Sequence, residues 1–255
     1  FKFQYSDEVS NETYLGLTAS DFKQSPFMRY AASQKDKMTN KHQQFLLTHE
    51  INFSNFLKVT TSGYYNGFAR NWYKLNDVVF NGNKVKIASI LIDPTTYNSY
   101  MNIIRGTSNS DADALLVKAN NREYVSKGIQ TKLDFHWNGE HVFHDLEIGL
   151  RYHYDKEDRF QWKDGYNMTS NGQMNLTTAA ERGSDANRIS SAKAFAGSIL
   201  YKLNYKNLTV TPGIRYEDIQ LQRENFGSDD LNRTGADLST RENDLAVFIP
   251  GIGMN

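Results

Sequence analysis

Apolar and polar residues alternate strictly along two neighbouring stretches of the chain, residues 127–137 and 144–155. A period of two is the pattern of a β-strand, because successive side chains point to opposite faces. Asn138-Gly139 lies between the two stretches, and this dipeptide is a strong signal for a tight hairpin turn. The pattern therefore predicts a long hairpin with one apolar face and one charged face.

Similar patterns predict further strands on both sides of this hairpin, at residues 1–5, 43–52, 57–72, 188–205, 208–223 and 247–255. Short turns of two or three residues are expected at 53–55, 138–140 and 206–207. The other connections, at 6–40, 74–121, 158–187 and 224–243, are far longer than is usual between strands. Alternating tight turns and long loops are typical of an outer-membrane barrel. The sequence thus predicts an all-β fold, an antiparallel transmembrane β-barrel segment of about eight strands.

Two short helices are expected inside the long connections. Thr18 to Asp21 has the pattern of a helix start, and this helix should end before Pro26. Asp93-Pro94 predicts a second start, followed by the apolar stripe Tyr97, Tyr100, Met101 and Ile104.

Two other architectures fit the same alternation. A closed eight-stranded barrel, structural or adhesive, would pair residues 1–5 with residues 247–255. A secreted, soluble all-β carbohydrate-binding domain would place the apolar faces inward, with a dry core behind Leu146, Ile148 and Leu150. Ile148→Arg separates a lipid-facing position from a buried one.

The composition narrows the classes of function. The 255 residues carry no net charge, so nucleic acid is not an expected partner. Cysteine is absent, and the six histidines do not have the spacing of a metal site. No nucleophile-elbow, phosphate-loop or dinucleotide motif is present, so we expect no enzyme and no cofactor. Both ends of the chain look strand-like, which suggests a piece of a longer protein.

Cationic and aromatic side chains in the long loops and near the strand ends are the candidate ligand-binding residues. Side chains of this kind, converging at the mouth of a barrel, bind anions through charge-assisted hydrogen bonds. They are Arg29, Tyr30, Arg70, Trp72, Arg122 and Lys132.

Four stretches resemble the TonB-dependent outer-membrane receptors, and within them the ferric-citrate receptor branch. The motif most specific to the family is the strand Thr-Val-Thr-Pro-Gly-Ile-Arg-Tyr-Glu at 209–217. The motif most specific to the branch is Pro-Phe-Met-Arg-Tyr at 26–30. The other two are the strands at 122–132 and 144–153. The resemblance covers most of this chain but only a middle portion of the family's barrel.

The resemblance implies a bacterial outer-membrane uptake receptor for an anionic ferric chelate, such as ferric citrate or a siderophore. The barrel would have 22 strands, and the chelate would be cargo rather than a cofactor. Arg29 matches a family arginine that contacts citrate; Lys132 stands where the family has another, and Ala19 replaces a third. Residues 1–255 would be part of the barrel domain. The plug, through which the TonB complex supplies energy, would lie outside them, and outer-membrane lipid would surround the strands.

Overall fold

The structure, a computed structural model, describes residues 1–255 as one antiparallel sheet with short helices at one end. The elements in chain order are β1 (Lys2–Ser10), α1 (Ala19–Gln24), a 3-10 turn (Ala31–Ser33), β2 (Lys37–Asn52), β3 (Leu57–Phe80), β4 (Asn83–Lys86), α2 (Ile87–Ile92), α3 (Asn98–Arg105), β5 (Leu115–Asn138), β6 (Val142–Met168), β7 (Met174–Thr178), β8 (Ala186–Tyr205), β9 (Leu208–Asn225) and β10 (Ser239–Met254). The longest helix, α3, has eight residues, and none of the helices could span a bilayer.

Eight long strands lie side by side in the order β1-β2-β3-β5-β6-β8-β9-β10, and we call them the wall. The short strands β4 and β7 extend β3 and β6 at one end. Every pair in the wall is antiparallel, so the predicted all-β antiparallel fold is confirmed. The first strand pairs only with β2 and the last only with β9, so the chain does not close on itself as an eight-stranded barrel.

The two faces of the wall differ in chemistry. One face, the apolar face, carries a row of aliphatic residues that crosses six strands in register, made of Ile51, Val59, Leu133, Ile148, Ile199 and Ile214. No second sheet covers it: Leu150 is 49% exposed and Ile199 is 48% exposed. The sandwich alternative required a dry core behind these residues and is therefore wrong. The opposite, polar face carries Lys132, Glu147 and Arg151.

Aromatic rings flank the aliphatic row on the apolar face. Towards the tight turns, Trp137 stacks on His144 with ring centroids 4.9 Å apart, and Tyr201 stacks beside them. Towards the long connections, Phe3 contacts Phe45 with centroids 4.8 Å apart. Aliphatic residues between two aromatic belts are the arrangement of a lipid-facing barrel surface.

A packed hydrophobic core lies at the other end of the wall, where the long connections meet. We call this region the cap: residues 11–36, 81–114 and 169–178, with the adjoining ends of β3, β5 and β6. Its core contains fully buried side chains from strands and helices together, including Leu75, Ile90, Met101, Ile104, Leu115 and Met168. The long connections are therefore folded structure.

The three connections of the cap meet at Gly106, which ends α3 with φ of 75°. A Cβ at this position would lie 2.7 Å from Ala31 Cβ and 2.7 Å from Gly172 Cα, so no larger residue fits without movement. Gln34 joins the same elements, donating to the Gly172 carbonyl at 3.0 Å and accepting from the Met174 N–H at 3.2 Å. Close backbone approach is thus what requires glycine here.

Several predicted strand boundaries are wrong, and in each case the observed strand is longer than the predicted one. The strand expected at 57–72 continues to Phe80, and β5 already begins at Leu115, so the predicted loop 74–121 is much too long. Similarly, β6 runs to Met168 through a stretch predicted as loop. β1 and β2 also extend beyond the predicted residues. The tight turns occur close to where they were expected.

The helix predictions fared unevenly. Helix α1 is confirmed: Thr18 is its N-cap and accepts the N–H of Asp21, and the helix ends before Pro26. Helix α3 begins at Asn98, five residues after the predicted cap. Asp93 instead accepts the N–H of Thr96 at 3.1 Å, which closes a turn. Helix α2 was not predicted.

Candidate anion-binding site

Four arginines lie directly opposite one another on adjacent strands of the polar face. Arg70 on β3 pairs in register with Arg122 on β5, which pairs with Arg159 on β6. Arg159 in turn pairs with Arg188 on β8. Neighbouring strands are about 4.8 Å apart, so this arginine row spans about 15 Å. Like charges directly opposite each other destabilise a sheet. A negatively charged group close to the four arginines would therefore stabilise the row.

One carboxylate serves the arginine row. Glu157 contacts Arg122 Nη1 at 3.2 Å and Arg159 Nε at 2.8 Å. Arg70 and Arg188 form no ion pair, and the buried Nε atoms of Arg159 and Arg188 have no hydrogen-bond partner, since the Arg159–Glu157 contact is an ion pair without hydrogen-bond geometry. A buried donor without a partner is costly. The row therefore keeps a surplus of positive charge and two unused donors.

Neighbouring polar groups hold Arg122 in place. Its Nε donates to Asn120 Oδ1 at 3.0 Å, and its Nη1 donates to the Tyr124 hydroxyl at 3.3 Å. Asn120 Oδ1 also accepts from Gln161 Nε2 at 2.5 Å. These contacts bridge β5 and β6, so the guanidinium is oriented before any ligand arrives.

A groove of about 440 Å³ adjoins the arginine row on the polar face. Phe68 and Tyr124 line the groove, with their ring centroids 6.0 Å apart. Glu157 and Ser190 line the side of the groove that is nearest to the arginine row. This volume lies in the range of small-ligand sites. The groove thus has aromatic walls and two carboxylates, Asp155 and Glu157, and the arginine row lies beyond its edge.

Lys132, the second residue matched to the receptor family, lies on the polar face as its alternation predicted. Its Nζ forms ion pairs with Asp134 at 3.0 Å and with Glu147 at 3.2 Å. The surrounding groove, of about 300 Å³, also contains Arg151 and Arg215. In this structure the lysine's charge is balanced by the two carboxylates.

Two further predicted ligand residues, Arg29 and Tyr30, lie in the cap. The exposed Arg29 donates through Nη2 to the Ser33 carbonyl at 3.0 Å. Tyr30 is 4% exposed; its hydroxyl donates to Asp21 Oδ2 at 2.5 Å and accepts the N–H of Thr18 at 3.0 Å. Burial, followed by the bond to Asp21, raises the pKa of Tyr30. The ligand-binding roles of both residues remain predictions.

The predicted residues do not converge on one point. Arg122 and Lys132 are ten positions apart on β5, about 33 Å at the rise of a strand. Arg29 belongs to the cap, beyond the arginine row. A single small chelate cannot contact Arg29, Arg122 and Lys132 at once in this arrangement. Of the predicted set, Arg70 and Arg122 belong to the arginine row.

Arg159 and Arg188 were not singled out from the sequence. A count from the predicted turn at Asn138-Gly139 does not find Arg159, because that turn would place Asp155 opposite Arg122, four residues before the observed partner. No such count is possible for Arg70 or Arg188, because long connections join β3 to β5 and β6 to β8. Their alignment with the row requires the three-dimensional structure.

The chain matches no protein-family model and no curated protein by sequence. Its structure is similar to the unliganded ferric citrate transporter FecA, with a TM-score of 0.65 and 16% identity over 99% of this chain. It is also similar to the siderophore receptor PiuA of Acinetobacter baumannii, with a TM-score of 0.62 and 11% identity over 99% of the chain. The chain therefore shares the fold of part of each of these two proteins.

The similarity extends to BauA, the ferric preacinetobactin receptor of Acinetobacter baumannii, with a TM-score of 0.57 and 10% identity over 99% of this chain. The chain covers 30% of FecA, 36% of PiuA and 34% of BauA, so it spans about a third of each. At these identities the likeness describes the fold.

Proposed function

We propose that this chain is part of a bacterial outer-membrane receptor that takes up an anionic ferric chelate, and that the arginine row binds the chelate. The observation that carries the proposal is the alignment of Arg70, Arg122, Arg159 and Arg188 with a single carboxylate among them. An anion of about the row's length would neutralise this surplus through charge-assisted hydrogen bonds.

The chemistry of the groove agrees with a ferric chelate as the ligand. Carboxylate or catecholate chelators leave anionic oxygens on the rim of the complex, which suits guanidinium groups. The rings of Phe68 and Tyr124 offer an apolar wall for the chelator's carbon skeleton. Ferric citrate is the first chelate to test, because FecA is described as a ferric citrate transporter.

The surfaces of the wall support an outer-membrane location. The exposed apolar face, with aromatic rows on either side, suits contact with hydrocarbon, and the arginine row on the opposite face would line the lumen. The cap then lies on the extracellular side. Energy would come from the TonB complex through a plug outside residues 1–255, and the role is transport rather than covalent chemistry.

The test measures ferric citrate binding by the full-length receptor that contains this chain, reconstituted in nanodiscs. The double variant Arg159→Gln/Arg188→Gln removes two guanidinium groups from the row. Charge-assisted hydrogen bonds contribute about 1.5–3 kcal/mol each, so affinity should fall at least about tenfold. Growth on ferric citrate as the iron source should fall in parallel.

The matched control is Arg182→Gln/Lys84→Gln, which removes two positive charges from exposed positions outside the row. It should bind as the parent does. Unchanged affinity in the arginine-row variant would refute the assignment of the site. Arg29→Ala and Lys132→Ala, assayed separately, test the two residues matched to the family, and no loss in either would remove them from the site.

A further inference from the structure

A chain of hydrogen bonds on the polar face ends at Asp155, beside the groove. Tyr64 on β3, Gly128 on β5 and His153 on β6 lie in register, and the Tyr64 side chain crosses β5 at Gly128. A Cβ on Gly128 would lie 2.5 Å from both the Tyr64 hydroxyl and the Tyr152 carbonyl oxygen, so a larger residue would block this path. The Tyr64 hydroxyl contacts His153 Nδ1 at 2.5 Å, and His153 Nε2 contacts Asp155 Oδ2 at 2.7 Å.

Arg151 decides where the protons of this network lie. Its Nε and Nη2 donate to the Tyr64 hydroxyl oxygen at 3.2 and 3.0 Å, and Nη2 also lies 3.2 Å from His153 Nδ1. A guanidinium group only donates, so Nδ1 accepts and carries no proton of its own. The hydrogen bonds therefore assign the neutral tautomer to His153, protonated on Nε2, which donates to Asp155.

No lysine or arginine neutralises Asp155. Its directly opposite and diagonal neighbours on β5 and β8 are all uncharged: Tyr124, Ser126, Gly128, Ser190, Ala192 and Ala194. Glu157, two positions further along β6, is itself a carboxylate and contacts Arg122 and Arg159. Asp155 Oδ1 accepts no hydrogen bond within the chain, and the side chain is 53% exposed. Asp155 therefore presents an unneutralised negative charge to the groove.

The groove beside Asp155 suits an organic cation. The rings of Phe68 and Tyr124 line it, and aromatic rings stabilise an ammonium group placed over their faces. Hard metal ions are a poorer fit, because they require about six oxygen ligands and Asp155 offers one free oxygen. Asp155 lies four positions from Arg159 along β6, about 13 Å at the rise of a strand. One ligand can therefore contact the arginine row with anionic groups and Asp155 with a cationic group.

We propose that the chelate carries a protonated amine as well as anionic oxygens, and that this amine binds Asp155 over the rings of Phe68 and Tyr124. The inference rests on the proposed function and names the class of chelate that the receptor selects. Asp155 is then a residue that determines specificity. A fully anionic chelate such as ferric citrate leaves Asp155 without a counter-charge, so it binds more weakly than a related chelate with an amine.

The experiment compares two ferric chelates, each measured with the full-length receptor in nanodiscs. Both chelators are citrate joined through an amide to a diaminopentane arm; the terminal amine is free in one and acetylated, hence neutral, in the other. Charge-assisted hydrogen bonds and cation–π contacts favour the free amine, so the parent should bind it at least about tenfold more tightly. Asp155→Asn removes the charge but keeps an acceptor for His153, and it should bind the two chelates equally.

Asp145→Asn is the matched control. Asp145 lies on the same face of β6 and also contacts a histidine, His136 Nδ1 at 2.6 Å, but it is ten positions from Asp155. This control should keep the parent's preference for the free amine. An unaltered preference in Asp155→Asn would overturn the inference, as would equal affinity of the two chelates for the parent.

Phe68→Leu tests the groove without touching the hydrogen-bond network. Loss of one cation–π contact should reduce the preference for the free amine roughly threefold. The acetylated chelate should bind this variant nearly as it binds the parent, since an apolar wall remains. A preference equal to the parent's would remove the ring from the amine site and overturn the placement of the amine.

The acetylated chelate also separates this inference from the proposed function. If it binds the parent and loses affinity in Arg159→Gln/Arg188→Gln, the arginine row is supported independently of the amine. Equal binding of both chelates would then refute the amine site alone. If neither chelate binds the parent, the proposed function and the inference both fail.

Discussion

The cap and the wall place apolar residues in opposite environments. In the cap, Ile104 and Leu115 are fully buried among residues from several connections. In the wall, Ile199 and Leu150 remain about half exposed on a face that no other element covers. The same residue types therefore serve a water-excluding core in one region and an open surface in the other.

The difference shows which solvent each region requires. The cap packs its buried residues into a core, as a globular domain in water does, although Phe27 and Ile92 stay exposed. The wall has no such core, and a continuous exposed apolar face of this size in water leads to association. A bilayer would remove that cost while leaving the polar face in a wet lumen. Substitutions of one type in both regions test this distinction directly.

The largest effect is expected for Ile104→Ala, which opens a cavity in the cap core. Buried isoleucine or leucine to alanine changes typically cost about 2–5 kcal/mol. The matched change Ile199→Ala, on the apolar face, should cost much less, since lipid chains can fill the space. Hydrogen exchange of cap and wall amides in nanodiscs measures both. Equal destabilisation by the two variants would contradict the comparison.

Ile148→Arg tests the wall by introducing a charge on the apolar face. An arginine near the bilayer midplane of a barrel costs about 2–4 kcal/mol, because the charge must be placed in hydrocarbon. Ser126→Arg is the control, since it lies on the polar face opposite Asp155. Denaturant unfolding in lipid vesicles should show a loss for the first variant and little change for the second. A tolerated arginine at 148 would exclude a lipid-facing apolar surface.

The difference in surroundings also explains why the strands of the wall were predicted from the sequence more accurately than the elements of the cap. Between the aromatic rows one face meets apolar surroundings and the other meets water, so alternation is strong, as in residues 144–155. Beyond them both faces meet water or the cap. The end of β6, with Asp158, Lys163 and Asp164, therefore reads as loop although it forms strand to Met168. Alternation of apolar and polar residues arises where the two faces of a strand have different surroundings, and it is lost where both faces have the same surroundings.

The prediction of the helices and of the site residues failed for other physical reasons. The six residues of α2, Ile-Ala-Ser-Ile-Leu-Ile, are too short and uniformly apolar for periodicity to separate helix from strand. Arg70 and Arg122 were candidates by charge alone, whereas Arg159 and Arg188 join them only through strand register. Register across a long connection depends on packing of the whole sheet, which no local pattern contains.

The smallest effect concerns the ion pair that joins two connections of the cap. Asp21 accepts hydrogen bonds from Arg105 Nη2 at 2.8 Å and from the Tyr30 hydroxyl. The bond from Arg105, and then that from Tyr30, lowers the pKa of Asp21 below its ordinary value of 3.8. A depressed folded-state pKa stabilises the fold above the unfolded value and ceases to do so as pH falls through the folded one. Asp21→Asn should therefore destabilise the cap by about 1.5 kcal/mol at pH 7, at the low end for hydrogen bonds to charged groups because the pair is partly open to solvent.

The difference between Asp21→Asn and the parent should shrink as the pH falls below 3.8, the ordinary value for this carboxyl group. Hydrogen exchange of the α1 and α3 amides at pH 7 and near pH 3 measures it. Asp111→Asn, an exposed change in the same cap, should be neutral at both pH values. Because the wall has no part in this contact, its exchange should not change; a variant that loosened wall and cap equally would show that the two regions unfold as one unit.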